Sequence, residues 1–198
     1  MELWRHHELV VPDLLCVIVC AVAAVTDLRS RRIPNWLTFP AIGVGLLLNT
    51  LLPGVSHGPG IALKAGLLSS AAGALLLLIC FGLLGAIRFV GMGDVKLMVA
   101  VGALLRWPTA LWALAYVALS GGVIALIYAL VRGRLGLVLR NIGTIGRRAV
   151  RQTKTPVGRE GEAPTDPVQL HQIPYAVAIL VGAGWAAAVK YWPWLALG

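Results

Sequence analysis

Charged side chains are the scarcest component of this sequence. They make up 13% of its 198 residues, against 59% hydrophobic ones, whereas a soluble domain carries about 25% charged residues. A chain this short keeps too much surface for a water-soluble core to absorb the difference, and the mean hydropathy is +0.84. An ordinary soluble domain is thereby excluded, and the lipid bilayer is the expected solvent. Acid is scarcer still: between Leu14 and Arg159 the only acidic residues are Asp27 and Asp94. Cysteine is limited to Cys16, Cys20 and Cys80, with no CxxC pair, which excludes a zinc knuckle and leaves small buried side chains in apolar runs. The four histidines fall at predicted loops or termini and no HExxH occurs, so neither a metal nor a cofactor is expected.

What is present is a series of apolar runs. Six are legible, at about 9–28, 34–52, 61–87, 95–105, 109–131 and 173–191. A crossing helix needs about 20 apolar residues. The second run is expected to stop at Pro53-Gly54, and the third to form one helix with Lys64 snorkelling at its start. The fourth run is too short to cross alone, and is expected to include its polar start or to be shielded by other helices. The predicted fold is a single all-α polytopic domain with about six transmembrane helices. Met1 to Asp13 lacks the charge pattern of a cleavable signal, so the first helix is expected to be retained.

The formal charge of +9 accompanies no nucleic-acid-binding module, so no nucleic-acid partner is expected. Its distribution speaks to topology. Arg29, Arg31, Arg32, Arg88 and Lys96 join eight basic residues between Arg132 and Arg159, which places 13 of the 17 Lys and Arg on one side. The positive-inside rule makes that side cytoplasmic, with both termini outside. The stretch 132–172 reads as a basic cytoplasmic loop, amphipathic at 135–150 and partly disordered at 153–167.

Asp27 ends the first run and Asp94 opens the fourth, on the same predicted face of the membrane. Ionisable groups at membrane depth are costly and mark function; the competing reading pairs each with a local arginine, Arg31 or Arg88. Two carboxylates sharing one proton can hydrolyse a peptide bond without a metal, one activating water while the other donates to the scissile carbonyl. Such a pair titrates as a unit, so acid and base are not assigned separately. Gly91-Met92-Gly93-Asp94 forms a GxGD sequence. Its glycines are expected to allow unusual backbone angles and close approach of an extended substrate.

GxGD followed by Val95-Lys96-Leu97, with Asp27-Leu28-Arg29-Ser30-Arg31-Arg32-Ile33-Pro34-Asn35 upstream and Ile173-Pro174-Tyr175-Ala176 opening the last run, resembles the prepilin peptidases among the GxGD aspartic membrane peptidases. The resemblance implies that Asp27 and Asp94 are catalytic and that Gly91 and Gly93 shape the substrate site. It implies prepilin or pseudopilin precursors as substrates, cut on the cytoplasmic side of a bacterial inner membrane. The larger bifunctional members carry two CxxC pairs associated with N-methylation. This sequence has none, so it is similar to the peptidase-only branch of tight-adherence pili, and methyl transfer is not expected.

Other readings compete. Lys96 stands two residues from Asp94 and points elsewhere on a helix, toward an acidic substrate group or lipid headgroups. Ser69 and Ser70 read as small helix-packing residues rather than nucleophiles. A small transporter using the two aspartates as proton or cation sites would show paired repeats and interrupted helices near the midplane, and neither is visible. A non-catalytic subunit of a secretion assembly is the third alternative. The sequence specifies no oligomeric state.

Overall fold

The structure is a computed structural model and describes residues 3–57, 60, 62–86, 90–131 and 175–195. Among them only helices occur: α1 (Leu3–Ser30), α2 (Asn35–His57), a π-helical stretch π1 (Ala62–Leu68) leading into α3 (Ser69–Ala86), α4 (Met92–Leu105), α5 (Thr109–Val131) and α6 (Tyr175–Leu195). Four segments are long and apolar enough to cross a membrane, Val10–Ser30, Asn35–Pro53, Gly66–Ala86 and Thr109–Ile127, and Tyr175–Tyr191 is a shorter apolar helix. The protein is an all-α, multi-pass membrane protein. Its lipid-facing surface is the row of exposed large side chains, such as Leu14 and Ile18 on α1 or Leu75, Ile79 and Leu83 on α3.

Two compact units are distinguished. Residues 1–121 with 174–198 form the first, and 122–173 the second. The described part of the second is the latter half of α5, which exposes Val123, Leu126, Ile127 and Leu130. The expected basic loop at 132–172, the expected placements of Arg88 and of the Lys64 side chain, and Ile173-Pro174 lie outside the described residues.

At the centre of the first unit lies α4. Its 14 residues span about 21 Å, well short of the roughly 30 Å of hydrocarbon. It is enclosed by other helices, as its length requires: Leu97, Met98, Ala100, Ala103, Leu104 and Leu105 are wholly buried. Small residues allow the enclosure. A side chain at Gly102 would collide with the backbone of Gly73, and one at Gly73 with the Gly102 carbonyl, so α3 and α4 touch backbone to backbone. Gly45 brings α2 equally close to Ala103, and Gly182 seats α6 on Val117 of α5.

A helix that ends among other helices leaves carbonyls that water cannot reach. Here side chains serve them. Asn49 Nδ2 donates to the Ala103 and Leu104 carbonyls at 2.8 and 3.1 Å, and Ser70 Oγ donates to Ala103 as well. Ser69 exchanges two bonds with Trp107, accepting from its N–H at 3.0 Å and donating to its carbonyl at 2.8 Å. The two serines are therefore hydrogen-bonding caps for the α4 terminus, and they stand at the π1–α3 junction rather than mid-helix.

Two boundaries depart from expectation. Helix α2 does not stop at Pro53-Gly54 but continues to His57. Pro53 has no N–H for the Asn49 carbonyl one turn earlier, and Gly66 of π1 approaches that carbonyl so closely that any side chain there would clash. The carbonyl is thus covered by a glycine Cα and the helix survives its proline. The third run is likewise not uniform, since π1 precedes α3.

Candidate active site

Asp27 lies in the last turn of α1, and Asp94 is the third residue of α4. The fold brings their half-buried carboxyl groups within electrostatic reach of each other. This is the juxtaposition expected from the sequence. Asp27 is not paired with Arg31: among the described residues the only ion pair is Lys190–Asp13, and Arg88 lies outside the described residues. Arg31 instead gives its backbone N–H to the Asp27 carbonyl at 2.8 Å.

Each carboxyl lies near a helix N-terminus, where free N–H groups and the helix dipole favour negative charge. The Asp94 carboxyl, at the third position of its helix, lies beside Gly91, the residue that precedes that helix. Asp27 stands at the unfavourable, carbonyl end of α1, but its carboxyl lies close to the backbone of Ala176 in the first turn of α6. Tyr175, beside it, is half-buried with its phenol against Gly121 and within electrostatic reach of Asp94. Ser120 Oγ fixes this corner by donating to the Ala178 carbonyl at 2.8 Å. The start of α6 is thus a third contributor, visible in the sequence only through the motif at 173–176.

The glycines of GxGD act differently from expectation. Gly91 has φ −66° and ψ 145°, ordinary extended backbone that any residue adopts. What it supplies is room: a Cβ there would lie 3.2 Å from Asp94 Oδ2. At Gly93 a Cβ would lie 3.3 Å from Cβ of Ile33, so this glycine lets the α1–α2 connection pack against the start of α4. The left-handed angle occurs instead at Arg31, φ 52°, which ends α1 and turns the chain toward Pro34. The Pro34 carbonyl then accepts the first N–H groups of α2.

Beside Asp27 an open groove of about 480 Å³ runs along this connection, lined by Thr26, Ser30, Arg32, Ile33, Asn35 and neighbours. It touches residues flanking Asp27, while neither carboxylate lines it. Lys96 borders the same region. Its Nζ donates to Asn35 Oδ1 at 3.0 Å and lies 5.2 Å from the centre of the Phe39 ring, so it braces α2 against α4, turned away from Asp94. Among the described residues no three His, Cys, Asp or Glu side chains come together as a metal site. Cys16 and Cys20 are buried and Cys80 is half-buried, in keeping with their packing role.

Chemically, the corner offers two carboxyl groups within electrostatic reach of each other, each beside the start of a helix. Comparison with known proteins bears on what this does. The sequence profile of the type IV leader peptidase family matches residues 14–126. A prepilin leader peptidase/N-methyltransferase of Burkholderia pseudomallei is 33% identical over 124 residues, which are 61% of this chain and 38% of that protein. A protein of the same description from Dickeya chrysanthemi is 32% identical over 111 residues, 53% of this chain and 36% of its own length. The prepilin peptidase EppA of Methanothermobacter thermautotrophicus is 36% identical over 107 residues, 52% of this chain and 26% of its own. The chain thus spans well under half the length of these curated relatives. No solved structure matches.

Proposed function

Because this chain belongs to the type IV leader peptidase family, we propose that it is an aspartic endopeptidase that removes the leader of prepilin-like precursors. Asp27 and Asp94 share one proton and one water: the ionised carboxyl takes a proton from water as it attacks the scissile carbonyl, and the protonated one donates to the carbonyl oxygen. The observation that carries this reading is the convergence of the only two acidic residues between Leu14 and Arg159, which lie 67 residues apart in sequence. Gly91 leaves the approach to Asp94 free of a side chain, Gly93 shapes the site by letting Ile33 pack close, and the groove beside Asp27 takes the extended segment around the cut. Lys96 supports the corner through Asn35 and faces acidic groups of the substrate or of the membrane.

The site faces the cytoplasm of a bacterial inner membrane, the side on which most basic residues fall. The substrate is a membrane-inserted precursor with a short leader, cut just before its hydrophobic helix. Cleavage without N-methylation is proposed, since the sequence has no CxxC pair. A proton- or cation-coupled transporter is less well supported, because both carboxyl groups sit at helix ends on one side of the bundle rather than along a path through it. The test is co-expression with precursors encoded near the gene, in a host with no other such peptidase. Shortening of a precursor supports the reading, and ion flux without cleavage overturns it.

A further inference from the structure

The mechanism leaves one buried acid unused. Asp13 is 3% exposed. Its Oδ2 accepts from Lys190 Nζ at 2.8 Å and from the Tyr191 hydroxyl at 2.6 Å, while its Oδ1 is buried without a hydrogen-bond partner. Arg106 has its guanidinium within electrostatic reach of both Asp13 and Tyr191. These groups come from three places: α1, the last turns of α6, and the residue that ends α4.

The same three helices build the active site at their other ends. Asp13 and Asp27 are 14 residues apart on α1, as are Ala176 and Lys190 on α6, while Asp94 precedes Arg106 by 12. At 1.5 Å per residue the cluster therefore lies about 18–21 Å along each helix from the catalytic groups. Between the two ends α1 packs along α6 through a core in which alanines, Ala23 and Ala24 of α1 and Ala176, Ala183, Ala186 and Ala187 of α6, stand among a few larger residues such as Val19 and Ile179. Small residues allow close approach and leave few large knobs to set the register of one helix along the other.

We propose that Asp13 is a positioning residue, which through Lys190 and Tyr191 fixes the axial register of α1 against α6 and so the place of Asp27 relative to Asp94. The inference rests on the peptidase reading above. A slip of one residue moves a helix by about 1.5 Å, which breaks contacts of 2.6 and 2.8 Å. A buried charge cannot give up its partners cheaply, and Oδ1 holds no second set of bonds to fall back on. The groups facing Asp13 are Lys190 and Tyr191 from α6, Arg106 after α4, and Cys16 from its own helix. Breaking the cluster leaves the catalytic residues present but misplaced, and a misplacement of about 1 Å costs on the order of a hundred-fold in rate.

The test uses the full chain in liposomes with a precursor that the wild type cleaves. Three variants are compared: Tyr191→Phe, which removes one hydrogen bond; Asp13→Asn; and the double variant Asp13→Asn with Lys190→Met, which leaves no unpaired Lys190. We expect kcat to fall by about ten-fold or more in the last two, with KM within about two-fold, and by less in Tyr191→Phe. The pH dependence of kcat should move, because the coupling of two carboxyl groups depends on their separation. A folded double variant with wild-type kcat and an unmoved pH profile overturns the proposal, as does a loss of rate that only tracks the folded fraction. Wild type that cuts no precursor, with Asp27→Asn indistinguishable from it, refutes the peptidase reading itself.

Discussion

Replacing Gly102 by alanine tests whether the backbone contact between α3 and α4 positions the site. A methyl group there would lie 2.7 Å from the Gly73 carbonyl carbon and 2.9 Å from Ala74 Cα, with the Gly73 oxygen closer still. Ordinary contact for such atoms begins near 3.4 Å, so the helices must part by close to 1 Å, and backbone atoms cannot rotate aside. Overpacking of this kind costs about 1–3 kcal/mol, against a gain of roughly 1 kcal/mol from replacing a helical glycine by alanine. The net change is a loss of up to about 2 kcal/mol in stability. The functional effect is larger, because α4 carries Asp94: a shift of about 1 Å lowers the cleavage rate on the order of a hundred-fold. Gly43→Ala is the control, since a Cβ there meets nothing within 4 Å; it should be neutral or mildly stabilising. Unfolding in mixed SDS micelles gives the stability difference, and the rate of precursor cleavage gives the functional one. If Gly102→Ala matches Gly43→Ala in both, the packing argument fails.

Three further outcomes are expected. Gly91→Ala crowds Asp94 Oδ2 at 3.2 Å and should lower kcat several-fold with little change in stability; an unchanged kcat would show that the glycine serves something else. Lys96→Met loses the bond to Asn35 and the contact over Phe39, worth about 1 kcal/mol or less at a half-exposed site, so its melting curve should barely move. A large rise in KM in the same variant would identify it with substrate binding. Cysteine labelling of intact cells should modify sites engineered at positions 57 and 107 but not at 31 or 155, and the reverse pattern would invert the orientation.

Much of the fold is legible in the sequence because lipid leaves few choices. Apolar runs of sufficient length become helices, and the run too short to cross, 95–105, has to be enclosed, as α4 is. The candidate site is legible for a related reason: acids are so rare here that two of them at helix ends stand out. What escapes is set by contacts distant in sequence. Helix α2 passes Pro53 because Gly66, from the next element, covers the carbonyl that proline leaves free. Asn49 caps the end of α4 more than 50 residues away; as a lone amide within an apolar run, it was itself the available signal. In the sequence Asp13 is only the end of a charged N-terminal stretch, and the return of α6 is what shows it to be buried with Lys190 and Tyr191. Gly91 suggested an unusual backbone angle, whereas its lack of a side chain is what the neighbouring carboxylate requires.

The central claim is that Asp27 and Asp94 act as one catalytic unit, and the size of a co-expressed precursor on a gel tests it most directly. Asp27→Asn and Asp94→Asn keep the shape of each side chain and remove its titrating group. Either substitution should abolish cleavage, with both proteins still folded in the membrane, and the double variant should be no worse than either single one. Full processing of the precursor by either variant, in a host with no other prepilin peptidase, would contradict the account.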